Sequence, residues 1–408
     1  MKTRYLVSLV LFLLFASVVY SQDNDSIREK HQVRHPQDVK WTQTRTQSTK
    51  TKKVSINFLG YVKLLGTFDW GNVQNTSEFI TSSIPIYPTA REEKPRFSFD
   101  PRQSRVAVEG LYQLTNSNKL RIYIEADFYN EEAMTTYVPH LRQAYAEYGS
   151  FVVGYTYSTI SNIAACPNQV DFEGASSIIG PTQAQVRYNY LRDKYSFAVA
   201  VETHLEDFTP YPDVDEITDF QLYPDLIAYY QRQGKWGNVR VAGILRNISY
   251  TDSTNKNVGE VFGWGVNITG YVNLFKRLEI NDIFYFGFGY GKGISYYFSD
   301  FSGLGYDAMP DKNNLMYSLP VYGGFVAYRH SWSSKMESNI IASFVNLDNA
   351  NINNDWILDK TIYGAINFMY NPFYRINFGA EFLYGKSINK KQDWGEGFRI
   401  QIMSVVHF

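Results

Sequence analysis

Lys119–Leu120–Arg121–Ile122–Tyr123–Ile124–Glu125–Ala126–Asp127–Phe128 sets Leu120, Ile122, Ile124, Ala126 and Phe128 on one face of an extended chain. Arg121, Tyr123, Glu125 and Asp127 fall on the other. A period of two is a strand signal, and one face here suits hydrocarbon while the other suits water. The same alternation recurs in sixteen stretches from Val54 onward. The expected strands are Val54–Trp70, Gln103–Tyr112, Lys119–Tyr129, Val138–Tyr148, Phe151–Tyr157, Gln183–Tyr190, Tyr195–His204 and Leu222–Gln231. They continue with Asn238–Ser249, Glu260–Val272, Arg277–Tyr290, Tyr317–His330, Lys335–Asn346, Lys360–Tyr370, Tyr374–Gly385 and Gly397–Phe408.

The connectors alternate in length. Short ones, rich in the turn formers Asn, Gly, Pro and Asp, fall near Thr115–Ser117, Gly149–Ser150, Arg192–Asp193, Gly234–Lys235, Phe275–Lys276, Trp332–Ser334 and Asn371–Pro372. Long ones follow every odd-numbered strand: Gly71–Arg102, Asn130–Tyr137, Ser158–Thr182, Leu205–Gln221, Tyr250–Gly259, Gly291–Met316, Leu347–Asp359 and Lys386–Glu396. Long loops at one end, with short turns and both chain ends at the other, is the asymmetry of an outer-membrane barrel whose short end is periplasmic. The last strand closes on Phe408. The fold expected is all-β: a transmembrane antiparallel β-barrel of sixteen strands, within two either way, spanning residues 54–408.

The start of the chain agrees with export. Lys2 and Arg4 precede the apolar run Leu6–Val19, and small residues lead to a cut before Gln22, so residues 1–21 read as a signal peptide. Residues 22–53 are polar and without apolar period, a periplasmic tether. No stretch reaches the length of a membrane helix, and mean hydropathy is slightly negative. A barrel tolerates that, because its lumen and loops are polar. The 33 Tyr, 28 Phe and 7 Trp suit aromatic girdles at the two interfaces. Without Lys2 and Arg4 the chain holds 37 basic and 40 acidic residues, net −3, which argues against a nucleic-acid partner. Cys166 is the single cysteine, so there is no intrachain disulfide.

A ring of this size is too wide for its own side chains to fill and encloses water. Strand phase turns Lys63, Arg105, Arg121, Arg187, Arg240, Arg246, Arg375 and Arg399 toward that lumen. On the lipid face at midplane each would cost about 2–4 kcal/mol. Glu109, Glu125, Asp127, Glu202, Asp225 and Glu381 share the inward phase, while Arg142 is ambiguous because both faces of its strand mix small and aromatic residues. Such groups either set ion preference or pair across strands and stabilise the wall. The third long connector, Ser158–Thr182, is the expected constriction; folded inward, it would bring Asp171 and Glu173 to the eyelet.

Other chemistries find little support. His31 and His35 have the spacing of a helical metal pair but sit in the tether, and the other histidines show no local Ser/His/Asp pattern. Gly287, Gly289, Gly291 and Gly293 lack the Gly-Lys-Ser/Thr and following helix of a phosphate loop. No enzyme, cofactor or metal site is expected.

Several motifs resemble the DcaP-like trimeric outer-membrane porins. They are Phe99–Asp100–Pro101–Arg102–Gln103–Ser104–Arg105, Leu141–Arg142–Gln143–Ala144–Tyr145–Ala146–Glu147–Tyr148, Val153–Gly154–Tyr155–Thr156–Tyr157–Ser158–Thr159, Val170–Asp171–Phe172–Glu173–Gly174 and Gln183–Ala184–Gln185–Val186–Arg187–Tyr188. Asn377–Phe378–Gly379–Ala380–Glu381–Phe382 and Arg399–Ile400–Gln401 also fit. The resemblance implies a homotrimer in the outer membrane of a Gram-negative bacterium, surrounded by outer-membrane lipid. It also implies a narrow pore with an inward loop and diffusion of small anionic solutes such as dicarboxylates. Arg102, Arg105 and Arg187 would be the matching pore arginines. The alternatives are a barrel acting through its loops as an adhesin or scaffold, whose lumen would be plugged, and a barrel enzyme acting on lipid.

Overall fold

In a computed structural model the described residues are 47–49, 52–71, 73–86, 94–115, 119–129, 137–203, 207–209, 217–219, 221–252, 258–277, 280–313 and 315–408. The signal peptide, His31 and His35, and the tether up to residue 46 lie outside them.

The wall has sixteen strands. They are β1 Lys52–Gly71, β2 in two pieces (Arg96–Asp100 and Arg105–Gln113), β3 Lys119–Asp127, β4 His140–Tyr148, β5 Phe151–Tyr157, β6 Thr182–Leu191, β7 Tyr195–Thr203 and β8 Asp225–Gly234. They continue as β9 Gly237–Asp252, β10 Val258–Arg277, β11 Ile280–Lys292, β12 Pro320–Ser333, β13 Met336–Leu347, β14 Leu358–Phe373, β15 Ile376–Asn389 and β16 Trp394–His407. Each pairs antiparallel with the next. The ring closes where β16 meets β1, from Tyr61 opposite His407 to Gly71 opposite Gly397. Closure leaves no free edge, so the wall's backbone groups are paired in the membrane. Outside the wall, Gln47–Thr49 pairs back on β1, Ile217–Asp219 on β9, and Ala308–Pro310 with Met316–Ser318. The strand count and the alternation of short and long connectors agree with the sequence expectation.

Burial follows the pleat. Along β7 the pattern alternates without a break: Phe197, Val199 and Val201 point out, and Ser196, Ala198, Ala200 and Glu202 are buried inside. Turn residues act where the backbone needs them. Gly149, between β4 and β5, takes φ +60°, and Gly237, at the start of β9, takes φ +140° with a would-be Cβ 2.0 Å from the Tyr271 carbonyl oxygen.

The second strand starts earlier than expected. Arg96–Asp100, assigned from sequence to a connector, pairs with Leu65–Asp69 of β1. Its outward Phe97 and Phe99 do alternate with polar residues. The chain then kinks at Pro101, which has no N–H for the ladder, and Ser104 N–H donates to the Pro101 carbonyl at 3.0 Å.

Candidate functional site

The lumen is where the inward side chains meet. The third long loop, residues 158–181, leaves β5 and runs inside the barrel to strands on the other side of the ring. Asn168 Nδ2 donates to Glu337 Oε1 on β13 at 2.7 Å, and Asn367 Nδ2 on β14 donates to the Asn168 carbonyl at 2.9 Å. Gln169 Nε2 donates to Tyr363 Oη at 2.7 Å, and Tyr363 Oη donates to Asp171 Oδ2 at 2.9 Å. The Asp171 N–H donates to Glu381 Oε2 on β15 at 2.6 Å, and Lys63 Nζ on β1 donates to the Val170 carbonyl at 3.2 Å. Nearer its start, Asn162 Nδ2 donates to Asn238 Oδ1 and Thr269 Oγ1, both at 3.1 Å. In a ring of sixteen, β13 and β14 stand opposite β5 and β6, so this loop crosses the lumen.

Small inward residues make room for it. A Cβ on Gly379 would come within 2.7 Å of Val170, and one on Gly289 within 2.5 Å of Ile179. The glycine run of β11, which failed as a phosphate loop, is thus a seat. Phe298 of the sixth long loop rests on the same seat, 3.0 Å from the Gly289 Cβ position. That loop, residues 293–319, also folds inward, with Ile294, Tyr297, Phe298 and Phe301 fully buried. Ser299 N–H bonds the Ile178 carbonyl at 2.9 Å, and Ser82 N–H of the first long loop bonds Asp300 Oδ1 at 2.9 Å. Three loops therefore form one packed unit inside the barrel. The inward course of the first and sixth was not read from sequence. The clue was aromatic density where a surface loop should be polar: Tyr296–Tyr297–Phe298 and Phe301.

The inward charges divide into two sets. In the first, loops or carboxylates cover the cation. Arg105 NH1 meets Glu125 Oε1 at 2.8 Å, and Arg142 NH1 meets Asp127 Oδ2 at 2.9 Å. The aromatic ring of Phe172 lies within 5.4–5.7 Å of Arg142, Arg105 and Lys63. Arg246 NH1 binds Asp307 Oδ2 of the sixth loop at 2.7 Å, with Asp225 at 3.7 Å. Arg399 binds Asp69 at 2.6 Å and also donates to the Asn75 carbonyl of the first loop. Lys63, Arg105, Arg246 and Arg399 are all under 3% exposed.

The second set is half-buried: Arg121, Arg187 and Arg240. Arg121 is bracketed by Glu109 at 2.7 Å and Glu147 at 3.2 Å. Arg187 NH1 donates to the Tyr157 carbonyl at 3.4 Å. Arg240 Nε donates to Gln231 Oε1 at 2.9 Å, another of its N–H groups bonds the Ser161 carbonyl, and its guanidinium lies 3.9 Å over the Tyr229 ring.

Arg375 belongs to neither set, since it lies in the turn between β14 and β15. Asp171 and Glu173 lie inside the barrel but are buried, at 0% and 3% exposure, rather than facing open lumen. Burial pushes Asp171 up to about 6 despite the bond from Tyr363. Arg142 points inward, and a β-bulge explains why its phase was unreadable. Glu125 pairs with Gln143 and Ala126 with Leu141, so Arg142 is the extra residue and both it and Gln143 turn inward.

This chain belongs to the DcaP outer membrane protein family, whose family model matches residues 21–408. It is similar in fold to the outer membrane channel DcaP of Acinetobacter baumannii, with TM-score 0.74 and 18% identity over 89% of this chain and 99% of that one. It is also similar to OmpT of Vibrio cholerae in a trimer form, with TM-score 0.53 and 11% identity over 87% of this chain and 99% of that one. The anion-selective porin from Comamonas acidovorans gives TM-score 0.54 and 8% identity over 87% of this chain and all of that one, at 100%. No curated protein matches the chain by sequence. The protein is an outer-membrane β-barrel of the porin type, located in the outer membrane of a Gram-negative bacterium, and its family is one of channels.

Proposed function

We propose that this barrel is a passive diffusion pore for small hydrophilic solutes, preferring anions such as dicarboxylates, and that the third long loop sets its narrowest point. The observation that supports this most is the path of residues 158–181, hydrogen-bonded to strands on both sides of the lumen. A segment anchored on opposite walls leaves a narrowed passage beside it. The half-buried Arg121, Arg187 and Arg240 favour anions in that passage, because guanidinium stays charged at any physiological pH. The likeness to a porin described as anion-selective points the same way. Passage down a gradient involves no bond making, so the reading includes no catalysis and no cofactor. The same reading takes the working unit as a homotrimer in outer-membrane lipid, with a signal peptide over residues 1–21 and a polar tether over 22–53.

The test is planar-bilayer conductance of the purified full chain, with reversal potential in a salt gradient. Closure in three steps with an anion-favouring reversal is the expected result. A cation-favouring reversal would remove the anion preference. Silence from folded, inserted protein would overturn the pore and favour a barrel acting through its loops as a scaffold or adhesin, since the three packed loops would then be a plug.

A further inference from the structure

Arg187 and Arg240 differ from the other inward arginines of the strands. Arg105, Arg121, Arg142, Arg246, Arg329 and Arg399 each have a carboxylate within 4 Å. Among the described residues, Arg187 and Arg240 have none at that distance. Glu147 and Glu202 feel the charge of Arg187 from further off, but Glu147 is engaged by Arg121 and Glu202 accepts the Thr159 N–H at 2.7 Å. The charges acting on Arg240 include that of Arg187 and no carboxylate. Two guanidiniums thus act on each other across the small inward side chains Ala198 and Ala200 of β7. Neither can relieve the repulsion by losing a proton.

Both side chains are held in place without being neutralised. Arg240 is fixed by Gln231, the Ser161 carbonyl and the Tyr229 ring, all uncharged partners. Arg187 is held by the Tyr157 carbonyl, and its Nε is buried with no acceptor among the described residues. Further along the same inward face of β6, Gln183 Nε2 is likewise buried without an acceptor. Pre-positioned cations with spare donors are what recognition of a planar or tetrahedral oxoanion requires.

We propose that Arg187 and Arg240 form a binding site for a small oxoanion, carboxylate or phosphate, and that this pair is the step that selects anions on the way through the lumen. The selection part rests on the pore reading above; the binding part does not. The probes are succinate and inorganic phosphate, titrated calorimetrically into the full-chain barrel in detergent. Arg187→Gln, Arg240→Gln and the double variant are compared with Arg121→Gln, each first shown folded by its heat-modifiable gel mobility. Loss of one charge-assisted contact should weaken binding roughly ten- to hundredfold, and the double variant should bind neither probe detectably. Arg121→Gln, whose charge is already matched, should move affinity far less. Binding of succinate but not phosphate, or the reverse, supports the site and identifies its oxoanion. Wild-type protein that binds neither probe, or a double variant that binds like wild type, overturns the proposal. Conductance is measured separately, so a silent barrel that still binds succinate through this pair overturns the pore and leaves the site standing.

Discussion

The wall beneath the loops and the arginine pair beside them solve opposite problems with the same residue type. Under the loops, Arg105, Arg142, Arg246 and Arg399 are each matched by carboxylates and sealed from water. There the charge is structural: it clamps strand to strand or loop to wall. Arg187 and Arg240 are half-buried and lack that match. The difference teaches that inward phase alone does not make a cation pore-lining. What covers the side chain decides whether its charge is spent on the fold or presented to solute.

The largest effect should come from removing the cover. Replacing residues 161–179 with a short Gly-Ser bridge takes away the segment that crosses the lumen. Single-channel conductance should rise several-fold in bilayers, with gel mobility still that of a folded barrel. An unchanged conductance would mean that the passage lies elsewhere and that this loop is only packing.

Next is the contrast between one arginine of each kind. Arg105→Ala leaves Glu125 and Asp127 buried with Arg142 as their remaining arginine. Breaking a buried pair by losing one partner costs about 3–5 kcal/mol. Arg240→Ala removes a half-buried cation with no carboxylate partner and should change stability by about 1 kcal/mol or less. Reversal potential should respond in the opposite order. Urea unfolding followed by tryptophan fluorescence, set beside bilayer recordings, checks both. Equal responses on either axis would erase the distinction between the two regions.

Acidity should act on the covered region. Burial pushes Asp171 and Asp300 each up to about 6. With its loop released to water, each would titrate in the ordinary range, near about 4. Because the seated state holds these protons more tightly, seating takes up protons as pH falls from about 6 to about 4. The packed loops are then most stable in acid and lose up to about 1–3 kcal/mol per group as pH rises through that window. Open-channel noise should fall between pH 7 and pH 5. Asp171→Asn should flatten part of the dependence, and noise that rises in acid would contradict it.

Much of this fold was legible because a membrane barrel writes its rules in simple periods. Alternation located the strands, and connector length set the topology. The places that failed are those where period two breaks: Arg142 at a bulge, and Arg96–Asp100 ahead of the Pro101 kink. The inward faces of Lys63, Arg105 and Arg399 were readable from phase. Which of them a loop would cover was not, because Asp307, Asn75 and Phe172 approach from 61 or more residues away in sequence, from 324 away, and through a ring with no charge to signal it. Covering is a property of tertiary packing, and no local pattern encodes it.

The smallest effect is also the most direct probe of cover. Cys166 lies in the third loop, buried, with its Sγ 3.6 Å from the Asn162 carbonyl oxygen. Burial pushes its thiol well above the ordinary range, so little thiolate forms and little reagent arrives. In the folded barrel a maleimide should label Cys166 more slowly than the urea-unfolded chain by roughly tenfold or more. Gly289→Leu puts a branched side chain where Ile179 and Phe298 sit, and should release the loop and speed the reaction. Arg240→Cys, made in a Cys166→Ser background, should label quickly without any such release, because its surroundings are already open. Slow labelling at both positions would mean that the arginine pair is covered as well, and its charge would then have to be reassigned to the fold.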